Sequence, residues 1–537
     1  MFVSALTGMA PLVHPSITIP MIPRLHTPAA ALFLTFWAGA ARAQQPAAAA
    51  GPSADAYVVP ALPPPAVVTR DEYARRRAAL AGRMGEGVLV VFGADDPPAS
   101  YLRFAQTPPM QYLTGVTEPG ARLVIAKQGG RVRELLFVLP RDPATELWDG
   151  VRIGAERAAR ITGIESRPAP RLNAAVDSLL GGGGTLYLLS QFPGDEGEQP
   201  EVRFAREQAA RRAGLRVAPL DGALAALRAS KSPAELDQIR RAAIITALAL
   251  RQAMIAIRPG MNEFELQAVI EGTFRRNGAD RPSFGSIVGS GPNATTLHYR
   301  TADRFMQAGE VVVMDVGASY RGYAADLTRT VPVSGRFTPD QRAVYEIVLA
   351  GQKAAEARAR PGGNLGELQE AATRVIADGL ARLGLIESPQ ATYDCRPQVP
   401  CLQVGLYFMH GVGHGIGLEV HDPDASYPPF GGGFTRGSAF TIEPGIYVRG
   451  DVLDYLPDTP RNRELRAKLG PVVRRFANIG VRIEDDYFVT DRGVERITAG
   501  APREVAEIEA LAARAGTWNA ERRPEIVEWY RAQEAAP

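Results

Sequence analysis

Val311-Val312-Val313-Met314-Asp315-Val316-Gly317 and, past the turn at Tyr320-Arg321-Gly322, Ala324-Ala325-Asp326-Leu327-Thr328-Arg329-Thr330 decide how the second half of this chain folds. Each is a strand-like run holding an acid, a costly placement unless that acid has a partner. A hairpin of this length brings Asp315 and Asp326 to one side of the ladder. Phe440-Thr441-Ile442-Glu443-Pro444-Gly445 and Val481-Arg482-Ile483-Glu484-Asp485-Asp486 set two more acids, Glu443 and Glu484, into the same kind of sequence. Four carboxylates converging without cations would repel one another and lose their hydration. Two divalent ions would cancel their charge.

The imidazoles for such a site are scarce. Of six histidines, His14 and His26 lie near the N-terminus, whereas His298, His410, His414 and His421 fall among these acids. Met409-His410-Gly411-Val412-Gly413-His414-Gly415-Ile416-Gly417-Leu418-Glu419-Val420-His421 is too glycine-rich for a helix and reads as an extended, close-packed segment. On a strand His410 and His414 share a face, while the odd spacing of His421 demands a turn near Leu418 or an approach from another direction. Carboxylates with a single imidazole suit Mn, Co, Zn or Fe rather than a sulfur-bound structural zinc. The ordinary alternative is that each acid is salt-bridged; the shared pattern disfavours it. Gly289-Ser290-Gly291-Pro292-Asn293-Ala294 matches a dinucleotide-binding pattern only superficially, because no amphipathic helix comes after it.

The rest of the chain frames that site. With 537 residues and 46% apolar content it can bury a large core, and Lys+Arg of 60 against Asp+Glu of 58 gives no footprint for nucleic acid or anionic lipid. Residues 1–43 read as an export signal: with translation starting at Met21, Arg24 and His26 precede the apolar run from Ala29 to Ala40, and Ala41-Arg42-Ala43 supplies a cleavage site. The run is shorter than the ~20 apolar residues that span a bilayer, so cleavage is expected over anchoring, and a periplasmic or secreted location is the consequence. Residues 44–65 are an Ala/Pro-rich linker. Residues 66–227, with apolar runs such as Val88 to Phe92 and Leu135 to Leu139 separated by helix-compatible stretches, read as an α/β domain.

Residues 228–515 form a further unit and 516–537 a charged tail. Ser232-Pro233 with Glu235 caps a helix running to about Ile257, and Asn262 with Glu265 caps the next. Arg258 to Gln267 matches Arg360 to Gln369 at seven of ten positions, 102 residues apart. Convergent helix–turn–helix punctuation explains this locally; an internal duplication with a pseudo-two-fold, two-lobed sheet domain explains the flanking elements as well. The only two cysteines, Cys395 and Cys401, are close enough for a disulfide in an exported protein, free thiols being the alternative.

With these blocks in order, the stretch from about Leu227 to Leu511 resembles the pita-bread metallopeptidases of the aminopeptidase P, prolidase and methionine aminopeptidase group (M24, which includes creatinase), most closely the aminopeptidase P branch. The resemblance rests on Ile287 to Gly291 leading to Leu297-His298-Tyr299, Asp315-Val316-Gly317, Gly322 to Thr330, His410-Gly411-Val412-Gly413-His414, Ile442 to Gly445 and Arg482 to Asp486. Tyr112 to Gly120 and Glu146-Leu147-Trp148-Asp149-Gly150 resemble the creatinase/aminopeptidase P type N-terminal domain. It implies an α/β N-terminal domain followed by an α+β pita-bread catalytic domain with an internal pseudo-two-fold repeat.

The resemblance implies two divalent ions, usually Mn²⁺, held by Asp315, Asp326, His414, Glu443 and Glu484, with Asp326 and Glu484 bridging. A metal-bridging hydroxide would attack the Xaa-Pro carbonyl, helped by Glu443 as acid/base. His298, His410 and His421 would contact substrate or shuttle protons, and Arg482 would orient the ligands. The implied activity is removal of an N-terminal residue from peptides with proline second. An Xaa-Pro dipeptidase of prolidase type and a non-catalytic peptide-binding module are the alternatives; no nucleic acid or stable membrane insertion is expected, and homo-oligomerisation is left open. Val448 to Ile479 reads as a charged insertion near the cleft, and it or Pro389 to Val404 is expected to act as a lid on substrate. Mass spectrometry of the exported protein should find Gln44 as its first residue; an intact leader would refute the cleavage site.

Overall fold

A computed structural model describes residues 64–97, 103–189, 199–396, 399–426 and 432–514; the expected signal, most of the linker and the C-terminal tail lie outside the described residues. In the first part six strands form one sheet in the order β4-β3-β2-β1-β5-β6: β1 (Gly87–Phe92), β2 (Arg122–Gln128), β3 (Arg131–Val138), β4 (Glu165–Pro168), β5 (Gly183–Leu188) and β6 (Gly214–Pro219). β1 to β3 are antiparallel neighbours, whereas β4, β5 and β6 join in parallel, which requires the intervening helices to cross over. Helices on the sheet bury both faces of β1, which accounts for its near-continuous apolar run.

Named contacts tie this sheet to the second half of the chain. Arg76 on the helix Arg70–Arg83 forms an ion pair with Glu235 at 2.9 Å and stacks on Tyr112, whose hydroxyl donates to the Leu227 carbonyl. Gln111 donates to the carbonyl of Arg321.

In the second part, helices Pro233–Ala256 and Glu263–Arg276 open with complete capping boxes at Ser232 and Asn262. A second pair, Pro339–Glu356 and Leu365–Leu383, repeats the arrangement with caps at Thr338 and Asn364. Strands that carry site residues come after each pair, the order expected of a two-lobed repeat.

After the first pair come β7 (Arg281–Pro282), β8 (Ile287–Ser290), β9 (Val311–Val316), β10 (Ala318–Tyr320), β11 (Tyr323–Ala324) and β12 (Leu327–Pro332). β9 is the centre of a three-stranded sheet, flanked by β8 and β12, with Asp315 opposite Ile287 and Thr328. β10 and β11 form a tight hairpin whose two corner residues, Arg321 and Gly322, both have positive φ, 50° and 82°. Ala325 and Asp326 sit between β11 and β12, where the chain changes partners.

The second pair leads to β13 (Thr392–Arg396) and β14 (Val399–Leu402), joined by the Cys395–Cys401 disulfide with Cα atoms 5.7 Å apart. β15 (Ala439–Ile442) pairs with β18 (Asp485–Thr490), which also pairs with β19 (Gly493–Arg496). β16 (Gly445–Val448) pairs with β17 (Ile479–Arg482). The two lobes interlock where Glu484 N–H donates to the Thr328 carbonyl and Thr330 exchanges hydrogen bonds with the backbone of Arg482.

The expected lid is not built from Val448 to Ile479. Gly445 pairs with Arg482 near the acids and Val448 with Ile479 three residues on, so the insertion leaves the hairpin about 10 Å away. Its helix, Pro460–Phe476, docks on the disulfide hairpin through Asn462 bonded to the backbone of Asp394 and Arg461 donating to the Thr392 carbonyl. Neither segment lines the cavity that reaches His414 and His421. The two distinctive segments brace each other instead.

Gly317 carries the tightest approach in the first lobe: a Cβ there would lie 1.8 Å from the Ala325 carbonyl oxygen, beside Asp326. Gly317→Ala should therefore destabilise the fold by about 3 kcal/mol and lower bound metal, read by thermal unfolding and elemental analysis. A variant of unchanged melting temperature would contradict this packing.

Candidate metal centre

Three of the four acids of the cluster stand at breaks between strands: Asp326 between β11 and β12, Glu443 between β15 and β16, and Glu484 between β17 and β18. Pro444 explains the second break, since it has no N–H to continue a ladder. Side chains at such breaks leave the two-residue alternation and can turn toward a common point. Asp315, the fourth, projects from within β9.

The histidine segment lies alongside β15. Thr441 N–H donates to the His414 carbonyl, Glu443 N–H to that of Val412 and Ile416 N–H to that of Ala439, so the stretch is extended as expected. Its glycines permit this closeness; a Cβ at Gly413 would lie 2.0 Å from the Thr441 carbonyl oxygen. The chain then reverses, with Gly417 N–H donating to Glu419 and Asp422 N–H to Gly415. Of the two alternatives that the spacing of His421 left, this reversal is the turn, and it sets the His421 ring 4.2 Å from the His414 ring at a tilt of 58°. Buried Asp422, gripped by Arg228 and Lys231, anchors the turn.

Asp326, His414, Glu443 and Glu484 meet around one point. His414 Nε2 lies 3.4 Å from Glu443 Oε1, 3.5 Å from Asp326 Oδ2 and 4.0 Å from Glu484 Oε1. Nδ1 of His414 is 3.0 Å from the Gly415 carbonyl and must donate to it, which leaves Nε2 as a lone pair facing three carboxylates. Lone pairs facing lone pairs need a cation between them. Asp326, His414 and Glu484 offer ligand atoms mutually within 4.8 Å, and one oxygen each of Asp315, Asp326 and Glu484 is buried with no hydrogen-bond partner. The residues fit a divalent ion coordinated by oxygen and imidazole.

Electrostatics agree with the geometry. Burial first, then the neighbouring Glu484 and Asp315, hold the Asp326 carboxyl well above its usual range, and burial with Glu443 and Asp315 does the same to Glu484. Burial pushes Glu443 up to about 8, and pushes His414 down to about 4.

Arg482 sits beneath the cluster. It donates to Asp315 Oδ2, Thr328 Oγ1, the Leu297 carbonyl and Tyr447 Oη. Tyr447, having accepted from Arg482 at 2.8 Å, donates its own proton to His410 Nε2 at 2.9 Å, while His410 Nδ1 donates to the Gly411 carbonyl. His410 Nδ1 is 4.0 Å from Glu443 Oε2. Burial holds His410 down to about 4, so the ring is neutral at pH 7. His298 is exposed and close enough to influence both His410 and His421 electrostatically. All nine residues singled out in the sequence thus lie in or beside one site.

Three further residues of the site, Tyr447, Thr328 and Asp486, escape the sequence pattern. Thr328 Oγ1 donates to Glu484 Oε2 and Asp486 Oδ2 accepts from the Asp326 N–H, so both orient acids of the cluster. Only the position of Thr328 opposite Asp315 in the hairpin could have signalled this; nothing local marks Tyr447.

The profile of metallopeptidase family M24 matches residues 237–491, and that of the aminopeptidase P N-terminal domain matches residues 73–187. A Xaa-Pro aminopeptidase of Escherichia coli K12 is 33% identical over 462 residues, covering 83% of this chain and 98% of that protein. The chain belongs to metallopeptidase family M24. Among solved structures of the family, proline aminopeptidase P II from Yersinia pestis superposes with a TM-score of 0.69 at 33% identity, covering 83% of this chain and 99% of that one. Zinc-substituted E. coli aminopeptidase P in complex with product superposes with a TM-score of 0.69 at 31% identity, covering 84% and 99%. These overlaps include the N-terminal domain as well as the metal centre.

The raised acids make the metal-free protein pH-sensitive. Their folded pKa values lie above the unfolded ones, so the fold binds more protons than the unfolded chain, and stability falls as pH rises from near 4.5 through about 8. The lowered histidines His410, His414 and His421 act in the opposite sense below their ordinary range near 6.5, so the acids alone are read above it: metal-free protein should melt lower at pH 8 than at pH 7, and manganese should remove the difference. Glu484→Gln should raise the melting temperature of the metal-free form at pH 8 while lowering bound metal. A metal-free melting temperature flat or rising from pH 7 to pH 8 would contradict this account.

Proposed function

We propose that the protein removes the N-terminal residue from peptides whose second residue is proline, using two divalent ions, most suitably Mn²⁺, held by Asp315, Asp326, His414, Glu443 and Glu484. The observation that carries this reading is the His414 lone pair aimed at three buried carboxylates. The similarity to Xaa-Pro aminopeptidases across both domains supports the substrate class. When bound, the ions supply Lewis acidity toward the scissile carbonyl and lower the pKa of a water molecule.

The chain's own residues do the rest. Glu443, at the edge of the cluster and next to His410, is placed to take a proton from water and return it to the leaving proline nitrogen. An Xaa-Pro bond has no N–H, so recognition rests on the shape of the ring. Partly exposed His410, backed by the buried rings of Phe408 at 5.2 Å and Tyr447 at 5.5 Å, presents a fixed ring suited to that shape. Tyr447 and Arg482 act as positioning residues, fixing the His410 tautomer and holding Asp315. His298 and His421 stand where they can contact the substrate amide or carry protons outward.

We also read the protein as exported. The leader through Ala43 and the Cys395–Cys401 disulfide both suit an oxidising compartment.

Hydrolysis of Xaa-Pro-Yaa tripeptides and longer peptides tests the function. Manganese-loaded protein should cleave them, lose activity on chelation, and fall by roughly tenfold or more when alanine replaces proline. Turnover confined to Xaa-Pro dipeptides would reassign it as a dipeptidase, and binding without turnover as a peptide-binding module.

A further inference from the structure

A cavity of about 1470 Å³ starts at His414 and His421 and extends toward the first domain. Its distal end is lined by Arg103, Arg281 and Arg321, with Ser319 between the strands. Arg281 is in β7, directly opposite Ser319 of β10. Its guanidinium reaches only backbone carbonyls, those of Pro282 at 2.9 Å and Ser283 at 3.3 Å. The buried Arg228, Arg329 and Arg482, by contrast, each meet a carboxylate. Among the described residues no carboxylate forms an ion pair with Arg103, Arg281 or Arg321.

The acids that share this cavity form no ion pair with Arg281, although the neighbouring Asp280 attracts it electrostatically. Asp280 accepts from the Gly322 N–H, and Glu419 and Asp422 are held by Arg228. The Ser319 hydroxyl, almost fully buried, has no hydrogen-bond partner. A half-buried guanidinium and an unsatisfied hydroxyl side by side are costly unless an anion completes them. Burial accordingly holds the Arg281 pKa below its ordinary value.

The recess adjoins the metal centre. Ser283 N–H donates to the Gly317 carbonyl and its hydroxyl to the Ala325 carbonyl, so Ser283 touches the backbone next to Asp326. Arg281 lies two strand residues further, about 7 Å away. His414 of the cluster and Arg281 line the same cavity, so a short peptide whose scissile bond lies at the cluster can extend a carboxylate toward Arg281.

We propose that this recess is a carboxylate-binding subsite, with Arg281 and Ser319 as its base and Arg103 and Arg321 as its rim, which makes the enzyme selective for peptides that present an acidic group there. The proposal rests on the peptidase function and adds the chemistry of the preferred peptide. The carboxylate has two sources: the side chain of an acidic first residue, or the C-terminal carboxylate of a short peptide.

Four substrates separate them: Glu-Pro-Leu, Gln-Pro-Leu and the C-terminal amide of each, assayed with manganese-loaded enzyme. We expect one acid-for-amide exchange to lower kcat/KM by roughly tenfold, mainly through KM, as a charge-assisted contact requires. A glutamate-for-glutamine effect identifies the first side chain; an effect of amidation identifies the terminus. Arg281→Gln should abolish that preference and leave turnover of Gln-Pro-Leu amide unchanged. Should that variant not fold, Arg321→Gln, at an exposed rim position, should weaken the same preference. Equal kcat/KM for all four peptides, or an equal loss on all four in the variants, would overturn the subsite. If none of the four is cleaved, the peptidase reading fails, and calorimetry with Glu-Leu, Gln-Leu and their amides still decides the subsite: equal affinities for all would reject it.

Discussion

A neutral imidazole lone pair facing three carboxylates in a water-poor interior is the interaction on which this structure depends. At separations of 3.4 to 4.0 Å these groups repel unless a cation lies among them. The same repulsion that makes the metal-free site unfavourable makes it select divalent ions. The second layer is arranged to hold the repelling groups in place: Thr328 on Glu484, the Asp326 N–H on Asp486, Arg482 on Asp315 and the Gly415 carbonyl on His414.

Beneath that layer a buried arginine couples the two lobes. Arg329 of β12 uses all three of its guanidinium nitrogens, on the carbonyls of Thr328, Glu484, Ala501 and Pro502 and on Asp485. Burial would raise Asp485, but Arg329, Arg496 and Arg503 outweigh it and hold the carboxyl below its usual range. The adjacent residues Glu484, Asp485 and Asp486 therefore do three different jobs: one in the metal cluster, one as an ion-pair anchor and one as a backbone acceptor beneath Asp326. A charge pair completely removed from water is strongly destabilised by loss of either partner, so the geometry of Glu484 is tied to Arg329 on the opposite lobe.

The first domain contributes through contact with the cavity. Gln111 meets the Arg321 turn, and Arg103 lines the distal recess whose other walls come from β7 and β10. The proposed subsite draws on both domains, while the metal centre belongs to one. The insertion between Val448 and Ile479 stands apart from both. It pairs with the disulfide hairpin through buried Asn462, and its distance from the acids is set by the β16–β17 register, which sequence distance from Glu443 did not reveal.

What the sequence determined by itself was the chemistry: acids set among apolar, strand-like runs at 315, 326, 443 and 484, four histidines near them, and glycines where backbones must touch. The helix caps at Ser232 and Asn262 and the turn before His421 were equally legible, because caps and turns are made by neighbouring residues. Tertiary structure alone decided convergence. Asp326, Glu443 and Glu484 occupy strand breaks, where two-residue alternation no longer says which way a side chain points. Thr328, Tyr447 and Asp486 reach the cluster through contacts between segments more than thirty residues apart, as with Tyr447 and Arg482, 35 positions apart, and Thr328 and Glu484, 156 apart. Local pattern carries no information about such contacts, because they exist only once the two lobes have packed.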